Sequence, residues 1–341
     1  MVVDGLNLPG LQEYFGREVP EVAGPLAAQL IHGGRSNLTY LLTDGVRRWV
    51  LRRPPLGGLT PSAHDMTREF RVIDALRDSG VPVAHAVALC EDTAVIGAPF
   101  SVMSYVDGVV LRGLADLEPV PQTQLDACAH ALMVTLAKLH RVSPSDVGLA
   151  GFGRPEGYLG RQVRRWADQW SRIATRDLPD IERLRDALAD ATPPESGSVI
   201  VHGDFRLDNA ILCADRLAEV RAIVDWEMST LGDPLADVGL ALVYRDPAFA
   251  PVLPGAAACT SDRMPGRDAM SQSYASASGR DLSNLDFYLA LGYFKIAVIA
   301  EGIHARHRSG ETVGEGFETV GSAVPELAAA GLRALNDRST K

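Results

Sequence analysis

The tightest constraint on this chain lies between two short apolar stretches. Val199–Val201 and Ala210–Leu212 bracket His202-Gly203-Asp204-Phe205-Arg206-Leu207-Asp208-Asn209, and a third stretch, Val220–Val224, runs directly into Asp225-Trp226-Glu227. Carboxylates taken out of water without partners are costly, so these groups belong on loops beside short strands, where chemistry rather than packing requires them. The remainder has to be scaffold. With 341 residues, 46% hydrophobic and 22% charged, the chain is long enough for two domains and has the composition of a globular protein. Its 33 Lys+Arg against 43 Asp+Glu leave a formal net charge of -10, which disfavours an electrostatic grip on nucleic acid or anionic membrane. Cys90, Cys128, Cys213 and Cys259 are far apart and form no CxxC pair, so they read as buried thiols in a reducing compartment. The N-terminus lacks a basic and an apolar region of the signal type. The most apolar helical run, Tyr288 to Ala300, is too short to span a bilayer and carries Lys295. A cytoplasmic protein without membrane or nucleic-acid partners is the expectation.

The first hundred residues read mainly as strands: Ala28–Ile31, Leu38–Thr43, Val46–Leu51, His85–Cys90 and Phe100–Tyr105. Asp44-Gly45 supplies hairpin-turn chemistry between the second and third. His32 to Asn37 forms a small polar loop in which backbone can approach a ligand. After a Pro-rich break, Ser62 is positioned to cap a helix reaching Ser79, with Phe70, Ile73 and Leu76 at core spacing. Beyond Val106-Asp107-Gly108 the pattern turns helical, at Gln122–His140, Tyr158–Thr175, Asp180–Ala191 and Pro234–Tyr244. The short β segments around Asp204 interrupt it, and a Pro/Ala/Ser/Gly-rich stretch occupies Asp246 to Gly279. The layout predicts a small β-rich lobe over 1–106 and a larger helical lobe over 107–341 that carries the loop and an acceptor pocket.

Asp204 and Asn209 stand five apart, with a His two residues before the Asp. This matches the protein-kinase catalytic loop, in which the Asp orients or deprotonates the acceptor hydroxyl and the Asn holds Mg²⁺. Asp225, at the end of a strand, takes the place of the metal-holding Asp, and a hard divalent ion bridging phosphates wants such oxygen ligands. The run His202 to Asn209 resembles the H-G-D-x-x-x-x-N signature of the aminoglycoside phosphotransferase superfamily, kinase-like enzymes that include choline, fructosamine and homoserine kinases. Val224-Asp225-Trp226-Glu227 with Gly232-Asp233-Pro234-Leu235-Ala236-Asp237 resembles the second signature. The patterns at Gly33–Asn37, Tyr40–Leu42 and Val50–Pro55 are most similar to kinase-like domains associated with acyl-CoA dehydrogenases.

The resemblance implies an α+β, bilobal protein-kinase-like fold with a small N-terminal antiparallel β lobe. It implies ATP and Mg²⁺, with Asp204 as catalytic base and Asn209 and Asp225 as metal ligands. Gly33, Gly34, Ser36 and Asn37 would cover the nucleotide phosphates, and the connector at Ser104 to Val106 would meet the adenine through its backbone. The strand lysine of the family falls where this chain has Arg52, a departure that keeps the charge and changes its geometry, with Glu69 as the candidate partner. The implied activity is phosphoryl transfer to the hydroxyl of a small molecule, a hydroxyacid or hydroxyacyl compound, with aminoglycosides or amino alcohols as the other substrate class.

Simpler readings stand beside these. The Gly-Gly loop alone is an ordinary turn, His202 a prop for the loop, and Asp233 before Pro234 a helix N-cap. Arg206 and Asp208 are either loop charges or groups that meet phosphate or acceptor, and Glu227 is open to a role with metal or substrate. The acceptor pocket is expected within Leu253 to Arg308, where Tyr274, Phe287, Tyr288, Tyr293, Phe294, His304 and Arg306 cluster. A kinase-like fold that binds without catalysing is the competing class, and Arg52 is its support. A serine hydrolase is excluded by the lack of a G-x-S-x-G elbow.

Overall fold

The computed structural model describes residues 5–31, 37–56, 65–253, 257–312 and 316–338. Gly33, Gly34, Ser36 and Ser62 lie outside them. The chain forms two compact units, Met1–Asp107 with Arg221–Ser229, and Gly108–Val220 with Thr230–Lys341. The segment carrying Asp225 therefore belongs with the first unit, not with the helical part that surrounds it in sequence.

The first unit opens with α1 (Leu8–Glu18), which strand-based reading of this region does not anticipate. Asn7 caps it through Gly10, and burial of Leu11, Tyr14 and Phe15 holds it in place. Five strands follow, β1 (Ala27–Ile31), β2 (Leu38–Thr43), β3 (Arg48–Arg53), β4 (Ala86–Cys90) and β5 (Phe100–Ser104). They form an antiparallel sheet in the order β1-β2-β3-β5-β4. Alternation buries Tyr40, Leu42, Trp49 and Leu51 together with α1, and Phe15 meets Trp49 edge-on at 5.5 Å. The β2–β3 turn is longer than two residues: Asp44 accepts from the Val46 and Arg47 amides at 2.9 and 2.7 Å, so β3 begins at Arg48 rather than Val46.

α2 (Met66–Leu76) is capped by Asp65, whose side chain accepts from the Arg68 amide at 2.9 Å. It is shorter than the expected helix to Ser79, and its buried face is Met66, Glu69, Val72, Ile73 and Leu76. Phe70 is only half-buried, and the position expected for an apolar residue passes to the neighbouring carboxylate.

The second unit contains the helices α3 (Leu114–Leu117), α4 (Gln122–Leu139), α5 (Tyr158–Ile173) and α6 (Pro179–Asp190), followed by the short strand β6 (Val199–Val201). The hairpin β7 (Ala210–Cys213) and β8 (Arg216–Ile223) comes next, and β8 leads the chain into the first unit. β9 (Thr230–Gly232) returns antiparallel to β6, pairing Ile200 with Leu231. α7 (Pro234–Val243) starts at an Asp233 cap that accepts from the Leu235 amide at 2.9 Å, with Pro234 in the first turn. The stretch read as irregular holds α8 (Arg267–Ser278), and α9 (Leu285–Arg308) and α10 (Val320–Arg338) complete the unit. At 24 residues α9 is much longer than the apolar run that marks it and passes the length and hydropathy test for a span, yet 67% of its most apolar window is buried against the protein. α7 and α9 approach closely at Gly239, where a Cβ would stand 2.6 Å from the Tyr288 backbone. All four cysteines are free and buried.

Candidate active site

Two groups of side chains, one in each unit, hold the residues singled out above. In the first unit, Arg52 leaves β3 on the face opposite Leu51 and forks between two carboxylates. Its Nη1 lies 2.5 Å from Glu69 Oε1 and its Nη2 3.1 Å from Asp225 Oδ1. Glu69 reaches this point because it occupies the buried face of α2, where its side chain is 1% exposed. Burial strips hydration from the Arg52 guanidinium, but Glu69 and Asp225 more than compensate and raise its pKa, so it stays charged. Burial pushes the Glu69 carboxyl up, and Arg52 opposes that shift.

Asp225 has φ 68°, the sole left-handed non-glycine among the described residues. Such a conformation persists only where the surroundings enforce it. Trp226 supplies the enforcement, fully buried with its indole N–H on the Ile223 carbonyl at 2.9 Å. Two residues on, Glu227 Oε2 accepts from Asn37 Nδ2 at 3.3 Å. Ser104 ends β5, and its amide donates to the His85 carbonyl at 2.8 Å, so that N–H is committed to the sheet rather than open to an adenine edge. Val106 follows it, half-buried, outside any strand.

In the second unit the loop after β6 turns at Gly203, whose φ of +83° only glycine adopts without strain. Asp237, buried on α7, accepts from the His202 amide at 2.5 Å and from the Gly203 amide at 2.7 Å. His140 touches the same carboxylate at 3.3 Å and reaches the Tyr274 hydroxyl at 2.8 Å with its other nitrogen. Burial holds the His140 imidazole below its ordinary pKa, so it serves as a neutral hydrogen-bonding link. His202 is buried, and its Nδ1 accepts the Asp204 amide at 3.2 Å, the position of a prop.

Asp204 itself is held on both oxygens. The Tyr244 hydroxyl donates to Oδ1. Asn209 Nδ2 donates to Oδ2 at 3.2 Å and to the Asp204 carbonyl at 2.9 Å, and Arg206 Nε stands 3.3 Å from Oδ2. Burial works against ionisation here, but Arg206, Lys295 and the Tyr244 hydroxyl outweigh it and keep the carboxyl below its usual range. With its side chain 20% exposed, Asp204 remains open to a small ligand. Arg206 is no solvated loop charge: it bridges Asp204 and Asp208, is 14% exposed, and lies over the Tyr244 ring at 5.6 Å. Arg206 and Tyr244 also line a small cavity with Leu132, Met133, Phe205 and Met270.

The structure thus gathers Arg52, Glu69, Asp225 and Asn37 in one group, and Asp204 with Asn209 in the other. The aromatic cluster expected to line an acceptor pocket does not do so: Tyr274, Phe287, Tyr288, Tyr293 and Phe294 are each at most 1% exposed and form the packing of α8 and α9. Sequence reasoning missed Tyr244 and His140, which carry no local mark. It passed over Lys295, whose mark was visible: one ammonium inside the apolar run Tyr288 to Ala300.

The family model described as APH, phosphotransferase enzyme family, matches residues 27–271. The chain belongs to this family. Among curated relatives, acyl-CoA dehydrogenase family member 10 of Mus musculus is 36% identical over 311 residues, 89% of this chain and 29% of that protein. Family member 11 of Gallus gallus is 36% identical over 335 residues, 94% of this chain and 42% of that protein. The chain therefore spans well under half the length of these relatives. Among solved structures, a Ralstonia eutropha protein provisionally classed as an aminoglycoside phosphotransferase superposes with a TM-score of 0.83 at 30% identity, covering 97% of this chain and 99% of that one. A ternary complex of aminoglycoside phosphotransferase APH(4)-Ia with ADP and hygromycin B has a TM-score of 0.62 at 16% identity, covering 96% of this chain and 98% of that one. The α+β kinase-like phosphotransferase fold is the common element.

Each group of side chains offers oxygen donors of the kind a hard cation takes. In the second unit Asn209 uses its amide nitrogen on Asp204, which leaves its carbonyl oxygen outside that bond, and in the first unit the Asp225 carboxylate is 30% exposed. Among the described residues no cluster of three His, Cys, Asp or Glu could hold a metal alone.

Proposed function

We propose that this protein moves the γ-phosphoryl group of ATP to a hydroxyl of a small molecule, with hydroxyacids or hydroxyacyl compounds as the acceptor class. One observation carries the reading: Asp204 is kept ionised and fixed on both oxygens, yet remains partly exposed. The names of the relatives, which join this family to acyl-CoA dehydrogenases, support the acceptor class. ADP in the APH(4)-Ia complex supports the nucleotide. The free, buried cysteines accord with a reducing cytoplasm.

Asp204 would accept the hydrogen bond of the acceptor alcohol and take its proton as the new P–O bond forms and the bond from the γ-phosphorus to the departing ADP oxygen breaks, and it needs no unusual basicity because the transition state is loose. Tyr244, Asn209 and Arg206 would hold that carboxylate in one orientation, which is where most of the rate advantage of such a site arises. Asn209 and Asp225 would hold Mg²⁺, which when bound neutralises charge on the phosphate oxygens. Asn37, with Gly33, Gly34 and Ser36, would cover the nucleotide, and the connector at Ser104 to Val106 would flank its base. Arg52, already engaged by Glu69 and Asp225, would act by keeping Asp225 aimed, with phosphate contact secondary. The same engagement favours a second reading, a nucleotide-binding module without catalysis.

A phosphoryl-transfer screen with Mg-ATP across hydroxyacids, hydroxyacyl thioesters, amino alcohols and aminoglycosides separates the two. Transfer to a hydroxyacid or its thioester that falls about 10²–10⁴-fold in Asp204→Ala, with nucleotide affinity retained, is the expected result. Nucleotide binding without phosphorylated product, or wild-type turnover in Asp204→Ala, would sink the proposal.

A further inference from the structure

The peptide of Gly203, immediately before Asp204, is held from both sides by buried charges of opposite sign. Its N–H goes to the Asp237 carboxylate on α7 at 2.7 Å, and its carbonyl accepts from the Lys295 ammonium on α9 at 2.7 Å. Gly203 adopts its left-handed conformation without strain, and because a glycine backbone has wide freedom, neighbouring groups rather than its own sterics fix the turn. The helices bearing the two charges are locked together at the close approach of Gly239 to Tyr288, so the two anchors keep a set separation. Lys295 is further fixed by the Trp166 ring on α5, with Nζ 5.6 Å from its centroid, and its charge acts on Asp204 and Asp237.

We propose that Lys295 is a positioning residue for phosphoryl transfer, clamping the Gly203 carbonyl so that the next residue, Asp204, is presented in one orientation. The proposal rests on the phosphotransfer reading above, since it assigns Asp204 a partner in that reaction. A lysine that only balanced buried charge would cost stability when replaced by an apolar residue, since Asp204 and Asp237 would lose a counter-charge, yet its loss would leave the left-handed turn in place. Loss of a clamp would not, because a carbonyl with no donor lets the left-handed turn relax, and displacement of a reacting group by about 1 Å costs on the order of 10² in rate.

The test compares wild type, Lys295→Met and Lys295→Arg in the full chain. It measures kcat and KM with the best acceptor of the screen, together with amide hydrogen exchange of the segment around Gly203. Lys295→Met is expected to lower kcat about 10²-fold with both KM values unchanged and to speed exchange at Asp204 and Phe205, while Lys295→Arg, which still donates to the carbonyl, recovers about ten-fold of the loss. Unchanged kcat, unchanged loop exchange, or a loss shared equally by KM overturns it. If Lys295→Met does not fold, Lys295→Arg is judged alone: turnover within about ten-fold of wild type at wild-type KM supports the clamp, and a larger loss or a raised KM overturns it. If wild type transfers phosphoryl to no acceptor, the phosphotransfer reading is what fails, and loop exchange in the variants then decides the clamp by itself.

Discussion

Replacing Asp237 by asparagine tests how the loop that carries Asp204 is built. The carboxylate is 2% exposed, and its two oxygens face two different backbone donors, His202 N at 2.5 Å and Gly203 N at 2.7 Å. Asparagine keeps the shape but offers one oxygen and one NH₂, so whichever way it is turned one donor meets another donor. Each hydrogen bond to a charged group contributes about 1.5–3 kcal/mol, and an amide left buried without an acceptor costs about 1–3 kcal/mol more. Because the two bonds share one carboxylate the terms do not simply add, and we predict a loss of about 3–5 kcal/mol. That is a large part of the 5–15 kcal/mol or so that stabilises an ordinary domain. Urea unfolding followed by circular dichroism and by tryptophan fluorescence would measure it. A loss below about 1 kcal/mol would refute the account of the loop, since one satisfied amide alone accounts for more than that. The pH dependence gives a second check. Burial raises the Asp237 carboxyl, but hydrogen bonds from His140 and the Gly203 amide outweigh it and hold it below its ordinary value. A depressed folded pKa gives stability that is fully present above the unfolded value of about 4 and is lost as pH falls through the folded one. The gap between wild type and Asp237→Asn should therefore be constant near neutrality and close in acid.

Arg52→Met should destabilise the first unit by about 3–5 kcal/mol, because it leaves Glu69, 1% exposed, without its counter-charge. Arg52→Lys should fall between, since one ammonium cannot span both Glu69 and Asp225, and equal melting temperatures for all three proteins would contradict the bridge. Tyr244→Phe removes a donor that helps hold the Asp204 carboxyl below its usual range, so the acid limb of the kcat profile should move to higher pH. An acid limb that stays in place would show that Tyr244 does not tune Asp204.

Short-range pattern carried a good deal of this molecule. Alternation marked the sheet strands, proline after Asp233 marked the start of α7, and the five-residue step from Asp204 to Asn209 placed both on one turn, where Asn209 bonds Asp204 directly. α1 escaped because Gly10, Gly16 and Pro9 weaken its local preference, and the helix forms through burial of Leu11, Tyr14 and Phe15. The aromatic residues of α8 and α9 were legible as aromatic but not as core. An apolar ring that lines a pocket and one that packs a helix interface look the same along the chain.

What the amino-acid order determined alone was most of the sheet strands, several of the helices and the chemistry placed on the loops, since propensity, capping and turn geometry act over a few residues. Only the tertiary structure decided which distant group each charge meets: Arg52 with Glu69 and Asp225, Asp204 with Tyr244, and Gly203 between Asp237 and Lys295. The pairing of a buried charge follows from its cost in low dielectric, and that cost is set by the packed surroundings, in which residues about 90 positions apart become neighbours.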